Sequence, residues 1–303
     1  MFNKLIASVL PYFPKKFIWI FSKRYIAGET MEEAIRVSHA LNASGVWVTV
    51  DLLGEFITNL DQALENKLLY AQIIEKFCQE PLNVTFSLKP TSFGLLLDFE
   101  VCYQYVREVV AKAAELGHLI RIDMEDSSCV DKEIELYKRL HMEFPQSVGF
   151  VIQAYLKRTD GDIEDLVKWN SVQRPVNIRL CKGIYKESSS NAYKGRDQIN
   201  RKYLENLETL LKNGIYTGIA THDKVLVNGA RDLIKKYKLT NKEYEFQMLY
   251  GVTPELRGEI VSQGHPMRVY TPFGKEWFGY STRRLKENPD MAGHIIKALF
   301  VRG

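Results

Sequence analysis

Val176–Glu187, VNIRLCKGIYKE, changes character half-way along its length. Val176–Cys181 reads as a buried strand, and the residues after it turn polar, with Arg179 and Lys182 straddling the junction and Gly183 just beyond. An amphipathic segment, Asp197–Asn213, follows. Strand, polar end, helix is the repeating unit of a parallel α/β fold. Working outward, the unit recurs: further strands are expected at Val46–Leu52, Val84–Leu88, Leu119–Met124, Val148–Gln153, Tyr216–Ala220, Tyr244–Met248 and Met267–Tyr270. Helices are expected at Thr58–Cys78, Glu100–Leu116, Lys132–Phe144, Ile163–Asn170, Asn228–Tyr237 and Pro254–Gln263, with one more segment, GYSTRR, after the last strand. Eight strands, each followed by a helix, predict an α/β fold of the closed (β/α)8 TIM-barrel type rather than an open sheet. The expected organisation is an amino-terminal helical arm over 1–44 and a catalytic barrel over 45–303.

A barrel carries its chemistry at the carboxyl ends of its strands. Those ends give, in order, Asp51 and Glu55, Lys89, Asp123 with Glu125, Gln153 with Tyr155, Arg179 with Lys182, Thr221 with His222, Gln247 with Tyr250, and Tyr270. One polar strand end is a solvated loop residue; a full set converges on one mouth. If Phe278–Asn288 is helical, Tyr280, Arg283, Arg284 and Glu287 share one face. On the residues alone that face is either a solvated surface in which Arg283 pairs with Glu287, or part of a site. Lys89, Arg179, Lys182, Arg283 and Arg284 together outnumber Asp123, Glu125 and Glu287, so the mouth is expected to take anions.

With 303 residues and a formal charge of +4, the chain has the composition of an ordinary globular protein. No Lys/Arg cluster interleaved with aromatics marks a nucleic-acid surface, so no nucleic-acid partner is expected. Cys78, Cys102, Cys129 and Cys181 are scattered, which indicates neither a zinc site nor a disulfide framework and suits a reducing compartment. The first 28 residues are apolar and basic, but Pro11 and Pro14 interrupt them and they are too short to span a bilayer. Lys15–Tyr25 mixes aromatics with Lys15, Lys16, Lys23 and Arg24; resting on an anionic membrane and packing on the main domain would use the same apolar face, and both stay open. Signatures of Rossmann, P-loop, zincin and nucleophile-elbow sites are missing. Of the six histidines only His222 falls at a strand end, so no metal is expected, and His118 reads as structural. Lys89 or Lys182 could serve a Schiff-base aldolase or lyase, although their charged neighbours suit anion contacts better.

Six ordered segments carry a resemblance: IRIDMEDSS (Ile120–Ser128), VIQAYLKR (Val151–Arg158), RLCKGIYKE (Arg179–Glu187), ATHD (Ala220–Asp223), FQMLYG (Phe246–Gly251) and GYSTRRLKEN (Gly279–Asn288). From about Thr49 to Asn288 the chain resembles the flavin-dependent proline dehydrogenases of the monofunctional bacterial type. The resemblance implies oxidation of L-proline to (S)-1-pyrroline-5-carboxylate, the first step of proline degradation to glutamate, with hydride passing to N5 of FAD and electrons to a membrane quinone. FAD would lie across the mouth on Met124, Gln153, Arg179, Lys182, Gly183, Ile184, Tyr185, Thr221, His222, Gln247, Leu249 and Glu287, with Arg179 at the N5 edge. The helix after the eighth strand would cover the mouth, its Arg283 and Arg284 clamping the proline carboxylate. Lys89 would add a charge from the other side; Tyr185, Leu249 and Tyr270 would wall the ring; Tyr280 would crowd C4 and favour proline over 4-hydroxyproline. Asp123 would hold the cations in register and tune proton traffic. A cytoplasmic enzyme is implied, with peripheral contact to the inner face of the membrane through its amino terminus left open. Position 184 is isoleucine where the family often has a small residue, position 181 is cysteine where valine is frequent, and Asp223 stands where asparagine is frequent, adding negative charge near the cofactor. Contacts from the segment 188–195 and from Arg196 are not assigned. A flavin or amino-acid binding protein without turnover is the other reading the same motifs allow.

Overall fold

The computed structural model describes residue 19, residues 22–54 and residues 57–281. Eight parallel strands, β1 (Trp47–Leu52), β2 (Val84–Leu88), β3 (Ile120–Ile122), β4 (Val148–Gln153), β5 (Asn177–Cys181), β6 (Tyr216–Ala220), β7 (Tyr244–Leu249) and β8 (Met267–Phe273), close into a barrel as β8 pairs with β1. The strands are β-branched and aromatic runs because both faces are buried, one by the barrel interior and one by helices. The helices among the described residues are α1 (Met31–Ala43), α2 (Leu60–Cys78), α3 (Phe99–Glu115), α4 (Val130–Glu143), α5 (Thr159–Trp169), α6 (Arg196–Lys212), α7 (Lys224–Tyr237) and α8 (Pro254–Ser262). Polar caps start several of them: Thr30 and Glu33 form a capping box on α1, and Asn59, Asp98 and Asp223 cap α2, α3 and α7.

Helix α1 precedes the first strand yet packs against both β1 and β8. It therefore fills the place in the outer ring that the helix after β8 takes in a regular barrel. That leaves the turn of helix at 277–281 to go elsewhere, and it brings Tyr280 to the mouth. The segment leading into α1 is fastened to the same end of the barrel. Ser22, Tyr25, Ile26 and Ala27 are buried; the Ala27 N–H donates to the Pro272 carbonyl at 2.8 Å, and Arg24 Nε to the Gly251 carbonyl at 3.3 Å. Gly251 has φ 74°, and a Cβ there would sit 1.7 Å from the Arg24 carbonyl oxygen, so the close approach requires glycine. Trp19 packs on Trp277 with ring centroids 4.8 Å apart. For the described part of Lys15–Tyr25, packing on the barrel is thus what occurs; residues 1–18, 20 and 21 lie outside the described residues. No helix among the described residues is long and apolar enough to cross a membrane.

Candidate active site

A cavity of about 690 Å³ opens at the carboxyl ends of the strands, within the range of small-molecule and cofactor sites. From β2 and β3 it receives Lys89, Asp123 and Met124; from β4, Gln153; from β5 and its loop, Arg179, Lys182, Gly183, Ile184 and Tyr185. Thr221 and His222 follow β6, Gln247 and Leu249 close β7, Tyr270 lies in β8, and Tyr280 comes from the last described turn of helix. Every described residue to which the resemblance gives a role is therefore at one cavity, whereas Asp51, Glu125, Tyr155 and Tyr250, which the strand-end pattern also sent to the mouth, do not line it. Arg283, Arg284 and Glu287, like Glu55, lie outside the described residues.

At the floor, Arg179 is held on two sides. Its Nη1 donates to Asp123 Oδ1 at 2.9 Å and to Ser87 Oγ at 3.3 Å, and its Nε donates to Gln247 Oε1 at 2.6 Å. Its Cζ lies 5.0 Å from the Tyr270 ring centroid, a cation–π contact. Nη2 is buried with no hydrogen-bond partner among the described residues. A buried donor without a partner is costly, so this guanidinium holds donor capacity for an acceptor that enters the cavity. Asp123 gathers the surrounding donors: Ser87 Oγ at 2.6 Å on Oδ1 and Tyr270 OH at 2.9 Å on Oδ2. Burial, and then the charges of Asp123 and Asp51, push the Tyr270 phenol well above its ordinary range, so it stays a donor.

The cationic excess expected from sequence is smaller in three dimensions. Lys89 Nζ contacts both oxygens of Asp51 at 3.0 and 2.9 Å and Tyr270 OH at 3.3 Å. Asp51 is raised to about 6, burial being the main cause and Lys89 opposing it. Lys182 pairs with Asp223 Oδ2 at 2.8 Å, and Arg196 and Asn200 reach the same oxygen at 3.0 and 3.3 Å. Against burial, the hydrogen bonds from Lys182, Arg196 and the Val225 N–H hold Asp223 well below the usual carboxylate range. Its charge, expected to burden the cofactor, is already answered by two cations. Glu125 is turned away from the mouth, accepting from the Thr91 N–H at 2.9 Å and Oγ1 at 2.5 Å. Both lysines being carboxylate-paired is the reverse of the desolvated, unpaired amine that Schiff-base chemistry needs.

Gln153 and Gln247 are each held by protein partners and not by one another. Gln153 Nε2 donates to the Glu125 carbonyl at 2.7 Å, whereas Gln247 bridges Arg179 and Glu245. His222 Nε2 accepts the Leu249 N–H at 2.9 Å, which puts the proton of the neutral ring on Nδ1. Gly183 has φ 110°, and a Cβ there would fall 2.1 Å from the Tyr155 ring, so the loop after β5 is glycine-dependent. Ile184 sits at the rim, 56% exposed, and does not narrow the interior. Ser87, Asp223 and Arg196 are polar parts of this arrangement that the strand-end pattern did not assign to the site; Ser87 precedes its strand's end, and only its inward position on β2 marks it.

The chain matches the family model described as proline dehydrogenase over residues 34–296. It is similar to proline dehydrogenase 1 of Bacillus subtilis, 34% identical over 92% of this chain and 90% of that protein. It is likewise 33% identical to a proline dehydrogenase of Deinococcus radiodurans, over 93% of this chain and 91% of the relative. Among solved structures, the proline utilization A protein of Bdellovibrio bacteriovorus, inactivated by N-propargylglycine, superposes with a TM-score of 0.83 at 24% identity. That likeness covers 88% of this chain and 32% of the larger one, and it speaks to the fold.

Proposed function

This chain belongs to the proline dehydrogenase family, oxidoreductases of proline catabolism, and from that premise we propose that it oxidises L-proline to 1-pyrroline-5-carboxylate with FAD bound across the barrel mouth. The observation that carries the reading is Arg179, fixed by Asp123, Ser87 and Gln247 yet keeping a buried Nη2 with no partner among the described residues. Such a cation suits the edge of a flavin, where it favours the electron-rich reduced form. Bound FAD would supply the hydride acceptor. The chain's own residues would do the rest. Lys182, Gly183, Thr221, His222 and Gln247 would hold the cofactor along β5–β7. Lys89, with Arg283 and Arg284 of the segment beyond the described residues, would draw the substrate carboxylate. Tyr185, Leu249 and Tyr270 would wall the pyrrolidine ring and exclude water. The substrate must react with its amine unprotonated, and no nucleophile is required, so catalysis rests on positioning and electrostatics. Electrons would pass to a membrane quinone, with the chain on the cytoplasmic side.

The test is the visible spectrum of the purified protein under anaerobic conditions, before and after adding L-proline. Bleaching of a flavin band is expected. A protein that stays colourless after reconstitution with FAD would remove the cofactor, and a yellow protein unmoved by proline would remove the substrate. Tyr280 is buried at the cavity wall, so Tyr280→Ser should open room beside the ring. The ratio of kcat/KM for 4-hydroxyproline over proline should rise about tenfold, the worth of relieving one steric contact; an unchanged ratio would sink the assignment of Tyr280.

A further inference from the structure

The orientation of Arg179 is set from beneath the cavity. In the barrel register Gly218 of β6 stands beside Arg179 of β5 on one side and Glu245 of β7 on the other. Glu245 Oε1 accepts from Arg268 Nε at 2.8 Å and from Gln247 Nε2 at 2.6 Å, and Tyr216 OH donates to Oε2 at 3.0 Å. A carboxylate accepts only, so the amide end of Gln247 that faces Glu245 has to be the NH2 group, and its carbonyl oxygen has to face Arg179 Nε. The amide assignment is therefore fixed by chemistry, not only by fit. Burial works against ionisation of Glu245, but the charges of Arg268 and Arg121 hold it below its ordinary value. Space is the second condition. A Cβ on Gly218 would lie 2.4 Å from Gln247 Nε2 and 2.8 Å from its Cδ.

We propose that Gly218 and Glu245 are positioning residues: together they fix the amide of Gln247 and, through it, aim Arg179. Neither touches the ligand directly in this scheme. The consequence for flavin chemistry rests on the proposed function; the relay itself does not.

Gly218→Ala is the cleanest probe. Gly218 has no left-handed φ, so β6 can hold an alanine, and the atom it meets is the end of a flexible side chain. The Glu245–Arg268 pair stays intact. In the holoenzyme labelled with 15N-arginine, the Arg179 Nε–H signal, identified by its loss in Arg179→Lys, should lose protection from solvent exchange about tenfold in Gly218→Ala, as expected for one lost charge-assisted hydrogen bond. Flavin reduction at saturating proline should slow by about the same factor. The KM for proline should move less than kcat, and the flavin midpoint potential should fall. Gln247→Met removes the amide while leaving Gly218 in place, so it should reproduce these changes even if the alanine variant does not fold. In the Gln247→Met background, Gly218→Ala should add nothing further. Unchanged exchange and rate in both variants would overturn the relay, as would an undiminished effect of Gly218→Ala without Gln247. Lost Arg179 protection in a protein that proline does not bleach would leave the relay standing and remove only the flavin reading.

Discussion

If the chain works with FAD as proposed, Arg179→Ala should slow reduction of the flavin by proline by roughly 10² to 10³, the usual cost of deleting one preorganised charge-stabilising donor from a desolvated site. The rate at saturating proline, followed anaerobically by rapid mixing, is the quantity that should fall; the proline concentration for half-saturation should change far less. The reason lies in what Arg179 touches. Its Nε and Nη1 are committed to Gln247, Ser87 and Asp123, so its spare donors on Nη2 do not have to be reorganised during the reaction. Arg179→Lys is the informative companion. A lysine restores charge but lacks the fork that meets Gln247 and Asp123 together, so it should recover only part of the rate. An alanine variant that reduces its flavin at the wild-type rate would remove Arg179 from the chemistry, whatever happened to proline affinity.

Strand positions were legible in the sequence because strands buried on both faces are written as nearly continuous β-branched and aromatic runs. Helix starts were less so. The expected helices Ile163–Asn170 and Asn228–Tyr237 begin earlier in the structure, at Thr159 and Lys224. The first turn of the one, TDGD, has no apolar period to read, and Lys224-Val-Leu-Val of the other has the composition of a strand. The place of α1 in the outer ring was not legible at all, since it depends on which strands meet when the barrel closes. At the site, residue types at the strand ends identified what converges, yet not who pairs with whom. Lys89 with Asp51, Lys182 with Asp223 and Gln247 with Glu245 are decided by register and side-chain reach. The positive mouth expected from a simple count of charges is correspondingly more balanced. Gly218 shows the limit most clearly, because a glycine inside a strand says that something needs space there without saying what.

Asp123→Ala should destabilise the protein by about 3 kcal/mol, the lower end of the range found when one partner of a buried ion pair is removed, because Arg179 is buried whereas Asp123 is partly open to the cavity. The barrel interior is rich in positive charge: Arg121, Arg179 and Arg268 are all buried, and burial together with the Arg179 and Arg268 charges pushes Arg121 down to about 9. Asp123 offsets that surplus at the upper level, where Arg179 Nη1 lies 2.9 Å from Oδ1 and Lys89 Nζ 3.8 Å from Oδ2. Truncation also strips an acceptor from Ser87 and Tyr270 at once. Asp123→Asn keeps the shape and should cost less than Asp123→Ala. Its NH2 group can take the Oδ2 position if the Tyr270 hydroxyl turns to accept from it, leaving the amide oxygen for Arg179 and Ser87. Urea unfolding of the two variants beside the wild type separates these contributions: the asparagine reports the charge, and the further drop to alanine reports the lost acceptor and the cavity. If Asp123→Ala unfolds within 1 kcal/mol of the wild type (a margin typical of surface changes), the buried cations are neutralised by some other group, and Asp123 does not hold Arg179 in place.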